Sequence, residues 1–166
     1  MALKADRYEE STDISHFSSS TGVRGQVVCL DAAALAGASG AALDQGENTV
    51  SPISAVGGTT PSVPVGIILN DVVNKDLTRT HLNQYKDEVQ KGGKVTILTR
   101  GWVVTDQVTD DPKAGDTAYA GANGKISPAA GLDVASGELA IGRFMSRTDS
   151  DGYAKVYVNL PQAWGA

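Results

Sequence analysis

The chain has 166 residues, a formal net charge of −5, 19 glycines and only 5% aromatic residues, which suits one ordinary domain with a thin, aliphatic core. An acidic chain without a Lys/Arg surplus is a poor match for nucleic acid, and no apolar run approaches the roughly 20 residues that cross a bilayer. The lone Cys29 excludes both an intramolecular disulfide and a cluster of thiolate metal ligands.

From Met1 to Thr21 the chain is polar, with Leu3, Tyr8, Ile14 and Phe17 at no strict period, and it runs into Ser18-Ser19-Ser20-Thr21-Gly22. Residues 1–21 read as an extended arm ahead of a single β domain, 22–166. Asp6, Glu9 and Glu10 stand where a secretory leader would carry basic and then apolar residues, so a soluble protein made in a reducing cytoplasm is expected. Val23 to Asp31 reads as a first strand, with Cys29 a small buried hydrophobe in Val27-Val28-Cys29-Leu30.

Ala32 to Leu43 is nearly all Ala, Gly and Ser. Gly37 and Gly40 each weaken a helix there by about 1 kcal/mol, so a loop is preferred. Asp44 to Pro64 is again rich in Gly, Ser, Thr and Pro. Residues 32–64 are therefore expected to form a long loop region, and a connection of that length is usually functional or an interaction surface.

Val65 to Val73 returns to strand character. Asp76 to Lys91 is expected to be the one short helix, with Leu82, Tyr85 and Val89 on one face and Asp87 placed to pair with Lys91, ended by Gly92 and Gly93. Lys94 to Thr105 is rich in Val, Ile, Thr and Trp and predicts a long strand, interrupted at Gly101 by a bulge or a close backbone approach.

Asp110-Asp111-Pro112 and Gly121-Ala122-Asn123-Gly124 supply turns, and Asp149-Ser150-Asp151-Gly152 leads into a last strand. In that strand Ala154, Val156, Val158 and Leu160 point one way while Tyr153, Lys155, Tyr157 and Asn159 point the other, so one face is buried and one is wet. The sum is a mainly β chain.

No catalytic constellation emerges. His16 lies in the arm and His81 on the expected helix, and neither has a Gly-x-Ser-x-Gly elbow beside it. Two distant histidines and one buried cysteine do not build a metal centre. Asp149-Ser150-Asp151-Gly152 opens like a calcium loop but lacks the closing Glu, so it reads as a tight turn. Asp106, Asp110 and Asp111 sit in a solvated loop beside Pro112. Gly92-Gly93-Lys94 enters a strand, not the helix N-terminus that cradles phosphate. The expectation is no enzyme, no cofactor and no metal. Trp102 is expected in the core, whereas Trp164, after Pro161, is assigned to an interface.

Asn83-Gln84-Tyr85-Lys86-Asp87-Glu88-Val89-Gln90, Gly101-Trp102-Val103-Val104-Thr105, Gly115-Asp116-Thr117-Ala118-Tyr119 and Asp151-Gly152-Tyr153-Ala154-Lys155-Val156, in this order and spacing, resemble the head decoration, or cement, proteins of tailed bacteriophages. The likeness runs from about Gly66 to Leu160. It implies a small β-barrel or tulip-like sandwich, a homotrimer on the outer capsid surface of the virion, and the major capsid protein as partner.

It also implies that an N-terminal arm makes the capsid contact, which would fall on Leu3, Tyr8, Ile14 and Phe17. The thin core supports oligomerisation independently. A function of another class, a carbohydrate-binding β module, is suggested by Trp102, Tyr119, Tyr153 and Tyr157, whose rings could stack on sugars.

Overall fold

The structure is a computed structural model, and it describes residues 2–30, 48–52, 64–73, 87–128 and 140–160. Its described part is mainly β, a closed five-stranded barrel with additional strands, as the sequence predicts. Strands β1 (Tyr8–Asp13), β2 (Phe17–Ser18), β3 (Gly22–Val23), β4 (Val27–Leu30), β5 (Thr49–Pro52) and β6 (Pro64–Val73) come from the first part of the chain. They are followed by β7 (Glu88–Val89), β8 (Lys94–Thr105), β9 (Thr117–Ala120), β10 (Ile126–Ser127), β11 (Ala140–Phe144) and β12 (Ala154–Asn159).

The long strand β8 organises the rest. Its first half pairs with β6, through Ile67 opposite Leu98 and Ile68 opposite Ile97, and with β2, through Phe17 opposite Lys94. Strands β2, β5, β4 and β6 are neighbours in turn, so the sequence of pairings β8-β2-β5-β4-β6-β8 returns to its start and closes the barrel. The second half of β8 leaves the barrel. There it pairs with β12 from Thr105 to Arg100, and β12, β11, β9 and β10 continue outward as an antiparallel sheet.

Two hydrophobic clusters follow from this geometry. Val28, Val50, Ile68, Val89, Val95 and Ile97 form one, with a member on β4, β5, β6 and β8 of the barrel ring. The larger one joins Val27, Cys29, Ile67, Leu69 and Leu98, on the opposite faces of the same strands, to Val103, Ile141, Phe144, Val156 and Val158 of the outer sheet.

The barrel wall is thus buried on both sides. That is why Val27-Val28-Cys29 and Ile67-Ile68-Leu69 are unbroken apolar runs, whereas β12 alternates with Ala154, Val156 and Val158 buried between partly exposed Lys155 and Tyr157. Each fully buried large aliphatic or Phe side chain contributes about 1.5–3 kcal/mol, and in these clusters Phe144 is the one aromatic among aliphatic side chains and Cys29.

Several expectations are corrected. The expected first strand is two, β3 and β4, because Gly25 at φ +88° turns the chain between them. Within the expected loop region 32–64, Thr49–Pro52 is a strand that completes the barrel between β2 and β4. Just before this strand, Asn48 is buried and bonds the Ser15 carbonyl through its side-chain amide, while residues 32–47 and 53–63 lie outside the described residues.

The expected helix falls mostly on residues 76–86, also outside them. Its end is not helical, since Glu88–Val89 pairs with Gly22–Val23 and buries Val89 in the barrel cluster. Among the described residues the one helical turn is a 3-10 turn at Ala122–Gly124, where Asn123 takes φ 57°.

Candidate functional site

Residues 2–18, which the sequence analysis assigns to an arm, pair along the domain. Lys4 donates its amide to the Val104 carbonyl, Leu3 bridges Thr105, β1 pairs along β8 from Trp102 to Ile97, and Phe17 pairs with Lys94. The segment therefore lines one whole edge of β8, while β12 and β6 line the other.

Its anchor is Leu3, only 5% exposed and part of the larger cluster. The side chain assigned to a capsid contact thus has a place in the core of its own chain. By contrast β1 packs neither face, and its side chains from Tyr8 to Thr12 are all exposed.

The other residues assigned to an interface lie apart. Tyr8 is 54% exposed at the start of β1, Ile14 is 52% exposed between β1 and β2, and Phe17 is half-buried on the barrel beside Lys94. Trp164 lies outside the described residues.

One outward face of the β1-β8-β12-β11 sheet gathers aromatic and cationic side chains. Tyr8 stands opposite Trp102, Trp102 opposite Tyr157, and Tyr157 opposite Arg143, a row across four strands. The Lys155 ammonium lies 3.3 Å from the centroid of the Trp102 ring. Arg100 hydrogen-bonds Tyr157 and pairs with Glu10 at 3.3 Å; the tyrosine contact first and the carboxylate second hold its guanidinium even more firmly protonated than usual.

At the end of the sheet, Lys4 binds Asp149 at 2.9 Å and lies over the Tyr153 ring. The Lys4 hydrogen bond, then the Tyr153 amide, lower the Asp149 carboxyl below its ordinary value. Asp149 Oδ1 also accepts the Asp151 amide, so this carboxylate closes the turn read from the sequence.

Sugar stacking gains nothing from this arrangement. Two of the rings proposed as platforms, Trp102 and Tyr153, already hold a lysine against the ring. Trp102 itself is half-buried on the outward face, not in the core as expected.

The sequence reading placed Lys155 and Tyr157 outward correctly but missed Arg143 and Met145 as their neighbours. Strand alternation along β12 gives a face; only the β11–β12 register shows what lies beside it.

A family model described as "structural cement protein (E217 gp24/Pam3 gp6)" matches residues 11–159. The chain belongs to this family of phage structural cement proteins. It is accordingly a structural protein of the phage capsid. No curated protein matches the chain. The match begins inside β1 and ends with the last residue of β12, so the cement-protein unit takes in both the barrel and the outer sheet.

Proposed function

We propose that this cement protein binds the outside of a phage capsid as a homotrimer and reinforces contacts between major capsid protein subunits. The observation that carries the reading is the family match over residues 11–159, which spans nearly all of the described fold. A thin core with an edge strand exposed on both faces supports burial against further chains. Repeated modest contacts on a symmetric shell would then add up by avidity. Synthesis in the host cytoplasm accompanies the reading, and Cys29, the one cysteine of the sequence and buried, is compatible with it.

The test is co-sedimentation of the full chain with shells assembled from the major capsid protein of the same phage, alongside light scattering for the oligomeric state. Saturable pelleting at a ratio compatible with shell symmetry, by a protein of trimer mass, supports the reading. A monomer that stays in the supernatant at all concentrations overturns it.

A further inference from the structure

The outward face of the β1-β8-β12-β11 sheet differs from the rest of this acidic protein in composition and in charge. Tyr8, Trp102, Tyr157 and Arg143 form its central row. Met145 follows Arg143 by two residues and donates its amide to the Lys155 carbonyl, so it emerges on the same side beside Lys155. Tyr8 and Met145, each 54% exposed, are two of the large hydrophobic side chains most open to solvent among the described residues. Tyr, Trp, Met and Arg are enriched at the centres of protein interfaces, where a few rigid anchors carry most of the binding.

We propose that this face is the surface that grips the shell, and that it meets a carboxylate-bearing, acidic surface of the major capsid protein. The inference rests on the shell-binding reading above and specifies the partner chemistry. The chain carries a net charge of −5, yet the middle of this face sets Arg100, Arg143 and Lys155 against Glu10, while at its end Lys4 is paired with Asp149 and has Asp151 nearby. Glu9, opposite Gly101, falls on the other face together with its partner Arg7.

Arg143 is exposed and has no ion-pair partner among the described residues. A guanidinium in that state, set beside Tyr157, is suited to a two-pronged bond with a carboxylate. A second copy meeting this face by two-fold symmetry would bring like cations together at cost. Nucleic acid is repelled by the charge of the whole chain.

The test uses the full-length protein and assembled shells, comparing wild type with Arg143→Glu/Met145→Glu and with the single variants Arg143→Glu and Tyr8→Ser. Co-sedimentation is run at low and high salt, with thermal melting and light scattering on each variant. These side chains are exposed, so the melting temperature should hold. The expected result is at least about a tenfold loss of shell affinity in the double variant, with oligomeric state unchanged and a wild-type affinity that falls as salt rises.

Undiminished binding of every variant, with wild type still pelleting, overturns the face while sparing the shell-binding reading. Loss of the oligomer with the shell affinity makes the face a contact between copies and also overturns the proposal. A wild type that never pellets overturns both.

Discussion

Lys155 on β12 holds its Nζ 3.3 Å from the centroid of Trp102 on β8, across the strand pair that joins the barrel to the outer sheet. Such a contact at a partly exposed site contributes about 0.5–1 kcal/mol, and it covers the ring that a sugar would need. Lys155→Ala should lower stability in urea by about that amount. Wild-type protein should show no binding on a glycan array. A sugar hit that disappears in Trp102→Ala would reverse the second expectation, and unchanged stability in Lys155→Ala the first.

Gly101 lies at φ +137°, and a Cβ there would run into the carbonyl of Tyr8. The close approach lets β1 reach β8 at the irregular register between Glu9 and Ser11. Since β1 buries almost nothing of its own, it has little energy to resist displacement. Gly101→Ala should therefore lift Tyr8–Asp13 off the sheet, at a cost of about 1–3 kcal/mol. Hydrogen exchange reads this directly: amides between residues 8 and 13 should exchange faster while those of β6 and β12 stay protected. Equal protection of β1 in the variant would show that the backbone absorbs the added methyl.

Much of this was legible in the sequence. Alternation fixed the faces of β12, Gly101 marked a close approach, and the Asp149 and Asn123 turns fell where turn formers cluster. The misreadings have a common cause in long-range pairing. Thr49–Pro52 has weak strand character and becomes a strand because β2 and β4 lie on either side of it. Val89 fits the helical spacing of Leu82 and Tyr85, yet Glu88–Val89 is a strand because Gly22–Val23 is opposite. Leu3 in a polar segment gave no periodic signal, and its burial depends on β8 passing beside it. The Tyr8-Trp102-Tyr157-Arg143 row is invisible for the same reason: its members are brought together by register alone.

The corner between β1 and β2 should make stability sensitive to acid. Partial burial pushes the Asp13 carboxyl upward, but the Ser15 hydroxyl and amide, at 2.6 and 2.7 Å, together with His16 at 3.4 Å, bring it below its ordinary 3.8. A carboxyl depressed in the folded state favours folding above its unfolded value, and that contribution is lost as pH falls through the folded value. Asp13 is substantially exposed, so solvent screening keeps the effect below about 1 kcal/mol. Melting temperature between about pH 5 and 3 should fall less steeply in Asp13→Asn than in wild type. Parallel curves would mean that the Ser15 bonds do not distinguish the two protonation states.

The N-terminal segment divides into an anchor that stabilises the fold and a strand that does not. Leu3 sits in the main core cluster, and the buried Thr105 hydroxyl donates to the Ala2 carbonyl at 3.0 Å. Leu3→Ala should therefore cost about 2 kcal/mol or more, as truncating a buried leucine does. Tyr8→Ala and Ile14→Ala, at exposed positions, should each stay within about 0.5 kcal/mol. Removing residues 1–20 deletes β1, β2 and the Leu3 anchor together, and with β2 it opens the barrel ring. The truncated protein is then expected to unfold or melt far below wild type, so its failure to bind shells would say nothing about where the shell contact lies. Leu3→Ala separates the two roles: lowered melting with shell affinity intact at a temperature where it is folded places Leu3 in the core alone, whereas unchanged melting with lost affinity would return it to the interface.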